Sequence, residues 1–234
     1  MENNKQKFKH YLEKEKNYSP HTVVAYYNDL LEFEKFNNAN FEQENIDEVN
    51  YSQIRSWIVE MVDSGISNSS VNRKIASLKA YYKFLLKTKQ IDASPLLKHK
   101  ALKASKKIQI PFSEKELSDV FANIVYPAGF IGFRDRLIID LFYATGIRRT
   151  ELIHLKINNI DLSNNTLKVL GKRNKERILP ILPIISMQIK VYIRERANLK
   201  VIADPEFFFL TQKGVKLNDS LVYRLINNYF SNVS

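Results

Sequence analysis

Through roughly the first ninety positions apolar residues recur every three or four residues, the period of a helix with one buried face. Phe8, Tyr11 and Leu12 predict a short amphipathic helix ending near Lys16. Ser19-Pro20 supplies a hydroxyl cap and a proline at the first helical position, and Val23, Tyr27, Leu30 and Leu31 carry the apolar face on to about Phe36. A third helix is predicted from Asn50 to the Ser64-Gly65 stop, with Ile54, Trp57, Ile58 and Met61 inside. The fourth starts in Ser67-Asn68-Ser69-Ser70 and carries Val71, Ile75, Leu78, Tyr82, Leu85 and Leu86. Four helices with short connections and no strand pattern among them predict a small bundle over residues 1–90.

Ser94-Pro95 closes that domain, because proline cannot continue a helix and restricts its predecessor. Weak periodicity over 91–110 predicts a linker, extended or only partly helical. A second domain over 111–234 opens on a capping box, Ser113 with Glu116, ahead of Leu117, Val120, Phe121 and Ile124. Leu137, Ile138, Leu141 and Phe142 predict a helix that runs to Gly146, and a short helix follows from near Thr150. The rhythm then changes to an extended Asn159-Ile160-Asp161, a turn at Ser163-Asn164-Asn165 and a strand over 166–170. A basic turn over 171–176 returns through Arg177-Ile178-Leu179-Pro180, giving a small antiparallel sheet. Helix resumes between Pro183 and Arg196, Phe207 to Leu210 reads as a short buried strand, and a last helix spans about Asn218 to Phe230. The second domain is therefore mainly helical with one small sheet, unlike a doubly wound nucleotide fold, and phosphate-loop and dinucleotide glycine patterns are missing.

Charge sharpens this outline. The chain carries 36 basic and 25 acidic side chains, a net charge of +11, which favours a polyanionic partner. The excess is concentrated: residues 64–107 hold eleven Lys or Arg against one acid, Asp92. On the fourth helix Arg73, Lys79, Lys83 and Lys87 fall within a sector of roughly 120° opposite the apolar face. Lys98, Lys100, Lys103, Lys106 and Lys107 follow in the linker. A basic helix face continued by a basic tether suits a phosphate backbone, and two domains so joined could close round a duplex as a clamp. The same pattern also serves solubility. With no cysteine, disulfides and thiolate chemistry are excluded, and four scattered histidines have no metal-ligand spacing. No cofactor or metal is expected. A polar, lysine-rich amino terminus carries neither leader nor anchor, so a cytoplasmic location away from membranes is expected.

Arg148 and Arg149 sit on the bend after Gly146, where a rigid guanidinium fork suits an anion held in fixed geometry, although a surface or structural role is commoner for such residues. Four stretches then occur in the order found in tyrosine recombinases: Tyr18-Ser19-Pro20-His21-Thr22-Val23, the run from Asn72 to Leu85, the run from Ala144 to Leu152, and Gly171-Lys172-Arg173-Asn174-Lys175-Glu176-Arg177. Over its whole length the chain resembles the Xer-type members of that family. The resemblance implies a mainly α protein, with a SAM-like four-helix core-binding domain followed by a mixed α/β catalytic domain bearing the small antiparallel sheet. It implies site-specific DNA recombination, in chromosome segregation or in integration of mobile elements. Double-stranded DNA would be the partner, alongside self-association or a related recombinase protomer. By the same resemblance Arg148 would grip the scissile phosphate, Lys172 would protonate the leaving 5′ oxygen, and Glu151 would orient the bend. DNA contacts are expected from Arg73, Lys74, Lys79, Lys83, Lys87, Lys103, Lys106, Lys107, Arg149, Arg173 and Lys175.

The family's His-x-x-Arg motif and tyrosine nucleophile should follow the last helix, yet no histidine comes after His154. Tyr223 and Tyr229 precede the place where that motif belongs and read as ordinary aromatics. The catalytic domain is therefore expected to be incomplete at its carboxy terminus, leaving apolar surface around Phe207 to Leu210 and the last helix, and the chain is expected to bind DNA without cleaving it. Arg173 stands where the family often has glycine, at a cost of about 1 kcal/mol if that turn needs a positive φ. Three readings stay open: a recombinase seen through a truncated chain, a naturally short DNA-binding protein competing with a full-length relative, and a helical interaction protein.

Overall fold

The computed structural model describes residues 3–105, 110–171 and 175–231 and divides into two compact units, Met1–Gln109 and Ile110–Ser234. In the first unit α1 (Asn4–His10) continues through a π turn, Tyr11–Glu15, and is followed by α2 (Pro20–Phe41), α3 (Tyr51–Asp63) and α4 (Asn68–Lys87). Ser19 caps α2 as expected, its Oγ accepting from Thr22 N, and the starts of α3 and α4 are capped too: Asn50 and Gln53 form a capping box, and Ser67 Oγ accepts from Ser70 N. Phe8, Leu12, Leu30, Phe33, Ile54, Trp57, Leu78 and Tyr82 meet in one buried core. Helix α2 runs a turn and more past Phe36, with Phe33 rather than Leu31 on its buried side, and Leu31 is exposed.

Residues 94–103 lie against α4 instead of standing free. Leu96 is buried in the bundle core and Leu102 packs on it. Asn72 holds the main chain of Leu102 from both sides: its Nδ2 donates to the carbonyl at 2.9 Å, and its Oδ1 accepts from the amide at 2.9 Å. Asn68 Nδ2 donates to the Lys103 carbonyl at 2.8 Å.

The second unit is mainly helical around a three-stranded antiparallel sheet. Its helices are α5 (Glu114–Asn123), α6 (Phe130–Thr145), α7 (Arg149–Ile153), α8 (Pro183–Ala197) and α9 (Asp219–Phe230). Strands β1 (Ile160–Asp161), β2 (Thr166–Leu170) and β3 (Glu176–Pro180) pair in that order, with Leu167 opposite both Ile160 and Leu179 and Leu170 opposite Glu176. Its core joins Leu137, Ile138, Leu141, Leu152, Leu167, Ile189, Tyr192, Phe208 and Phe209.

One expected element is corrected. Phe208, Phe209 and Leu210 are fully buried, but the segment makes only the isolated bridges Lys156–Phe207 and Leu210–Lys216 and is no strand. Burial there satisfies side chains, with no neighbouring strand among the described residues to complete a ladder. Apolar surface is open at the last helix as expected, in a groove of about 500 Å³ lined by residues of α5, α6 and α9, among them Phe121, Tyr143, Tyr223 and Phe230. No helix among the described residues is long and apolar enough to cross a membrane.

Candidate functional site

The bend after α6 is fixed by its own atoms. Gly146 takes the left-handed conformation (φ 59°) that lets the chain turn without a Cβ clash, and its N–H donates to the Phe142 carbonyl at 3.1 Å. The Thr145 hydroxyl donates to the Leu141 carbonyl at 2.7 Å and accepts from the Ile147 amide at 3.2 Å, and Ile147 itself is buried. Arg148 therefore leaves a pinned main chain at the entrance to α7.

Its side chain is held from below by Glu151, one turn on. Glu151 Oε2 accepts from the Arg148 amide at 2.8 Å, and Oε1 accepts from Arg148 Nη1 at 2.8 Å. The Glu151 side chain is 2% exposed while that of Arg148 is 60% exposed, so the carboxylate is committed and the guanidinium keeps an open edge. A second cation completes the cluster: Arg177 Nη2 donates to Glu151 Oε2 at 2.8 Å. In the sequence Arg177 closes the fourth family stretch and opens the returning strand, with no site role assigned to it. Glu151 and Arg177 are 26 positions apart, and the strand register that brings them together has no mark in the sequence.

Gly171, at the end of β2, comes to the same place. Gly171 N donates to the Lys175 carbonyl at 2.8 Å and closes the turn. A Cβ built on Gly171 would stand 3.3 Å from Glu151 Oε1 and 3.9 Å from Arg148 Nη1. Lys172 and Arg173 lie outside the described residues, as do Lys106 and Lys107. Lys175 is exposed. Beside Glu151 a cleft of about 420 Å³ is lined by His154, Lys168, Leu170 and Glu176, with Lys168 paired to Glu176 at 2.8 Å. His154 Nδ1 donates to the Thr150 carbonyl at 2.7 Å.

Other basic candidates divide into committed and open groups. Arg149 Nε pairs with Asp219 on α9 at 2.8 Å. In the first unit Arg73 grips buried Asp29 through two bonds of 2.9 Å, and Lys74 reaches Asp29 at 3.5 Å as well as Glu32. Lys87 pairs with Glu15 at 3.0 Å and lies 4.9 Å from the centre of the Tyr11 ring. Lys79 Nζ is 3.5 Å from the His99 carbonyl, and Lys83 and Lys103 are exposed with no acidic partner among the described residues. The expected basic face of α4 thus includes several cations already engaged by acids on α2 and the π turn, which the charge run alone could not reveal.

The two carboxy-terminal tyrosines differ sharply. Tyr229 donates its hydroxyl to Asp135 Oδ2 at 3.2 Å, and Asp135 is itself buried against Arg134. Burial first, then the adjacent carboxylate, pushes the Tyr229 hydroxyl up to about 12, the wrong direction for a nucleophile. Tyr223 is 57% exposed and lines the apolar groove. No group of side chains that could hold a metal ion occurs among the described residues.

Residues 6–89 match the phage integrase N-terminal SAM-like domain and residues 111–233 match the phage integrase family. The chain belongs to the phage integrase family, the tyrosine recombinase superfamily, and so to a group of DNA-binding recombinases. It is 33% identical over 212 residues to tyrosine recombinase XerC of Bacillus subtilis (strain 168), covering 88% of this chain and 68% of that one. Tyrosine recombinase XerC of Oceanobacillus iheyensis is 32% identical over 232 residues, 97% of this chain and 75% of the relative. In fold it is similar to the XerH site-specific recombinase bound to palindromic difH substrate in a post-cleavage complex (TM-score 0.74, 19% identity, 98% of this chain and 67% of that one). A similar likeness holds for the Tn1549 transposon integrase in complex with circular intermediate DNA (TM-score 0.72, 19% identity, 99% and 80%).

Proposed function

We propose that the chain binds duplex DNA as an Xer-type site-specific tyrosine recombinase does, with Arg148 and Lys172 directed at one backbone phosphate, and that by itself it binds without cleaving. The observation that carries the reading is the open guanidinium of Arg148, fixed by a buried carboxylate beside the hairpin on which Lys172 follows Gly171. Preorganised cations of this kind stabilise charge that grows on a phosphate during strand transfer, and a lysine there can supply the proton taken by the leaving oxygen. The first unit contributes sequence-independent affinity through Lys79, Lys83 and Lys103, and Arg149, Lys175, Arg173, Lys106 and Lys107 extend the contact. Kinship with the XerC recombinases and likeness to DNA-bound integrases support duplex DNA as the partner, with a related protomer as a second partner.

Cleavage needs an oxygen nucleophile in line with the phosphate, activated by a neighbouring base. Tyr229 is tied to Asp135, and Tyr223 opens into an apolar groove, which supports binding without cleavage. The experiment uses a duplex selected from a random pool for tight binding. Apparent affinity should fall by several powers of ten between 50 and 200 mM salt if six or more phosphates are contacted. A flat salt response removes the DNA reading. The same duplex, nicked as a suicide substrate, should give no covalent protein–DNA band on a denaturing gel. A band lost on Tyr223→Phe or Tyr229→Phe would reverse the second half of the reading.

A further inference from the structure

We infer that Arg177 is a positioning residue for the phosphate site: it neutralises Glu151, so that Arg148 keeps an uncompensated positive charge for an incoming phosphate. This rests on the reading of Arg148 as the phosphate ligand.

The inference comes from counting charge around one buried carboxylate. Glu151 faces two guanidiniums, Arg148 Nη1 on Oε1 and Arg177 Nη2 on Oε2, each at 2.8 Å. An Arg148–Glu151 pair alone would be neutral, and its anion would repel a phosphate approaching the same guanidinium. With Arg177 present the cluster carries one net positive charge. That charge is available where solvent reaches it: the Arg148 side chain is 60% exposed and that of Arg177 is 37% exposed. Arg177 Nε is buried with no hydrogen-bond partner among the described residues, so Glu151 is the anchor of this side chain there.

Position adds a second effect. Arg177 stands on β3 opposite Val169 of β2, close to the base of the turn that Gly171 and Lys175 close. Its bond to Glu151 ties that hairpin to α7. One carboxylate thus sets both the orientation of Arg148 and the place of β3 beside α7. Glutamine at position 177 would preserve size and polarity while removing the charge. Lysine would keep the charge while losing the planar fork.

The test uses the full chain labelled with ¹⁵N-arginine, following the arginine Nε–H signals as inorganic phosphate is added at constant ionic strength. Arg148→Lys identifies the Arg148 signal by its loss. In the unsubstituted chain that signal should shift saturably with phosphate. Arg177→Gln should move it before phosphate is added and weaken phosphate binding by about tenfold, the scale of losing one charge-assisted partner near an anion. Arg177→Lys should restore most of the affinity. An unchanged Arg148 signal and unchanged affinity in Arg177→Gln would overturn the inference and leave Arg177 a brace for the hairpin. If Arg177→Gln fails to fold, Arg177→Lys decides: retained affinity supports the charge role, and affinity lost at an unchanged melting temperature overturns it. Phosphate that leaves the Arg148 signal of the unsubstituted chain unmoved would instead remove the reading of Arg148, and the inference with it.

Discussion

Asp29 is 3% exposed and faces four donors: two from Arg73, one from Ser77 Oγ at 2.6 Å and Lys74 at 3.5 Å. A carboxylate buried in a helical bundle is tolerated only with such partners, because each lost donor exposes part of its desolvation cost. Arg73 is therefore first a structural residue, and any contact it makes with a phosphate is additional. Arg73→Ala should lower the unfolding free energy by about 1–3 kcal/mol, since Ser77 and Lys74 still serve the carboxylate. Lys83→Ala, which removes an exposed cation with no acidic partner among the described residues, should stay within about 0.5 kcal/mol of the parent. Urea unfolding of both variants checks the contrast, and equal losses would mean that Asp29 does not depend on Arg73. Nothing in the charge run over residues 64–107 could have separated these two cations, because Asp29 lies 44 positions before Arg73.

Among the elements, the helices were legible because two local signals coincide: a 3.6-residue apolar period and side-chain caps such as Ser19, Asn50, Ser67 and Ser113. The β2–β3 hairpin was legible from its basic turn between apolar runs. Phe207 to Leu210 was not, since four apolar residues in a row look alike whether they pair or merely fill a core. The docking of residues 94–103 on α4 was hidden for another reason. It is made by asparagine side chains on main-chain groups, which leave no pattern in the partner segment. His99 lies within that segment, with its Nδ1 3.3 Å from the Tyr51 hydroxyl of α3 and its Nε2 buried without a partner among the described residues. Burial first, and then the Lys79 charge on α4, lowers its pKa below the usual histidine range. The neutral ring is therefore the form that fits. Docking is undiminished above the unfolded value of about 6.5 and weakens as pH falls through it toward the lower folded value, because the released ring takes a proton more readily. Hydrogen exchange over residues 94–103 should accelerate between pH 7.5 and 5.5 relative to α2, and His99→Gln should remove that dependence. The same acceleration in His99→Gln would assign it to another group.

At the scale of the molecule, the salt response of duplex binding tests the chain as a basic protein, and the covalent-band assay tests it as an enzyme. Its two cores raise a separate question. The core around Trp57 and Leu78 and the core around Leu141 and Phe208 have no residue in common. Cooperativity in unfolding comes from shared burial, so each unit should melt on its own, and scanning calorimetry of the free chain should resolve two heat-absorption peaks. A single peak with equal calorimetric and van't Hoff enthalpies would rule that out. A duplex gripped by both units changes the thermodynamics without altering either core. Loss of one unit then costs the grip of the other, so ligand-binding free energy links two equilibria that were independent. The two peaks should converge as DNA is added, because a shared ligand makes each unit's folding depend on the other's.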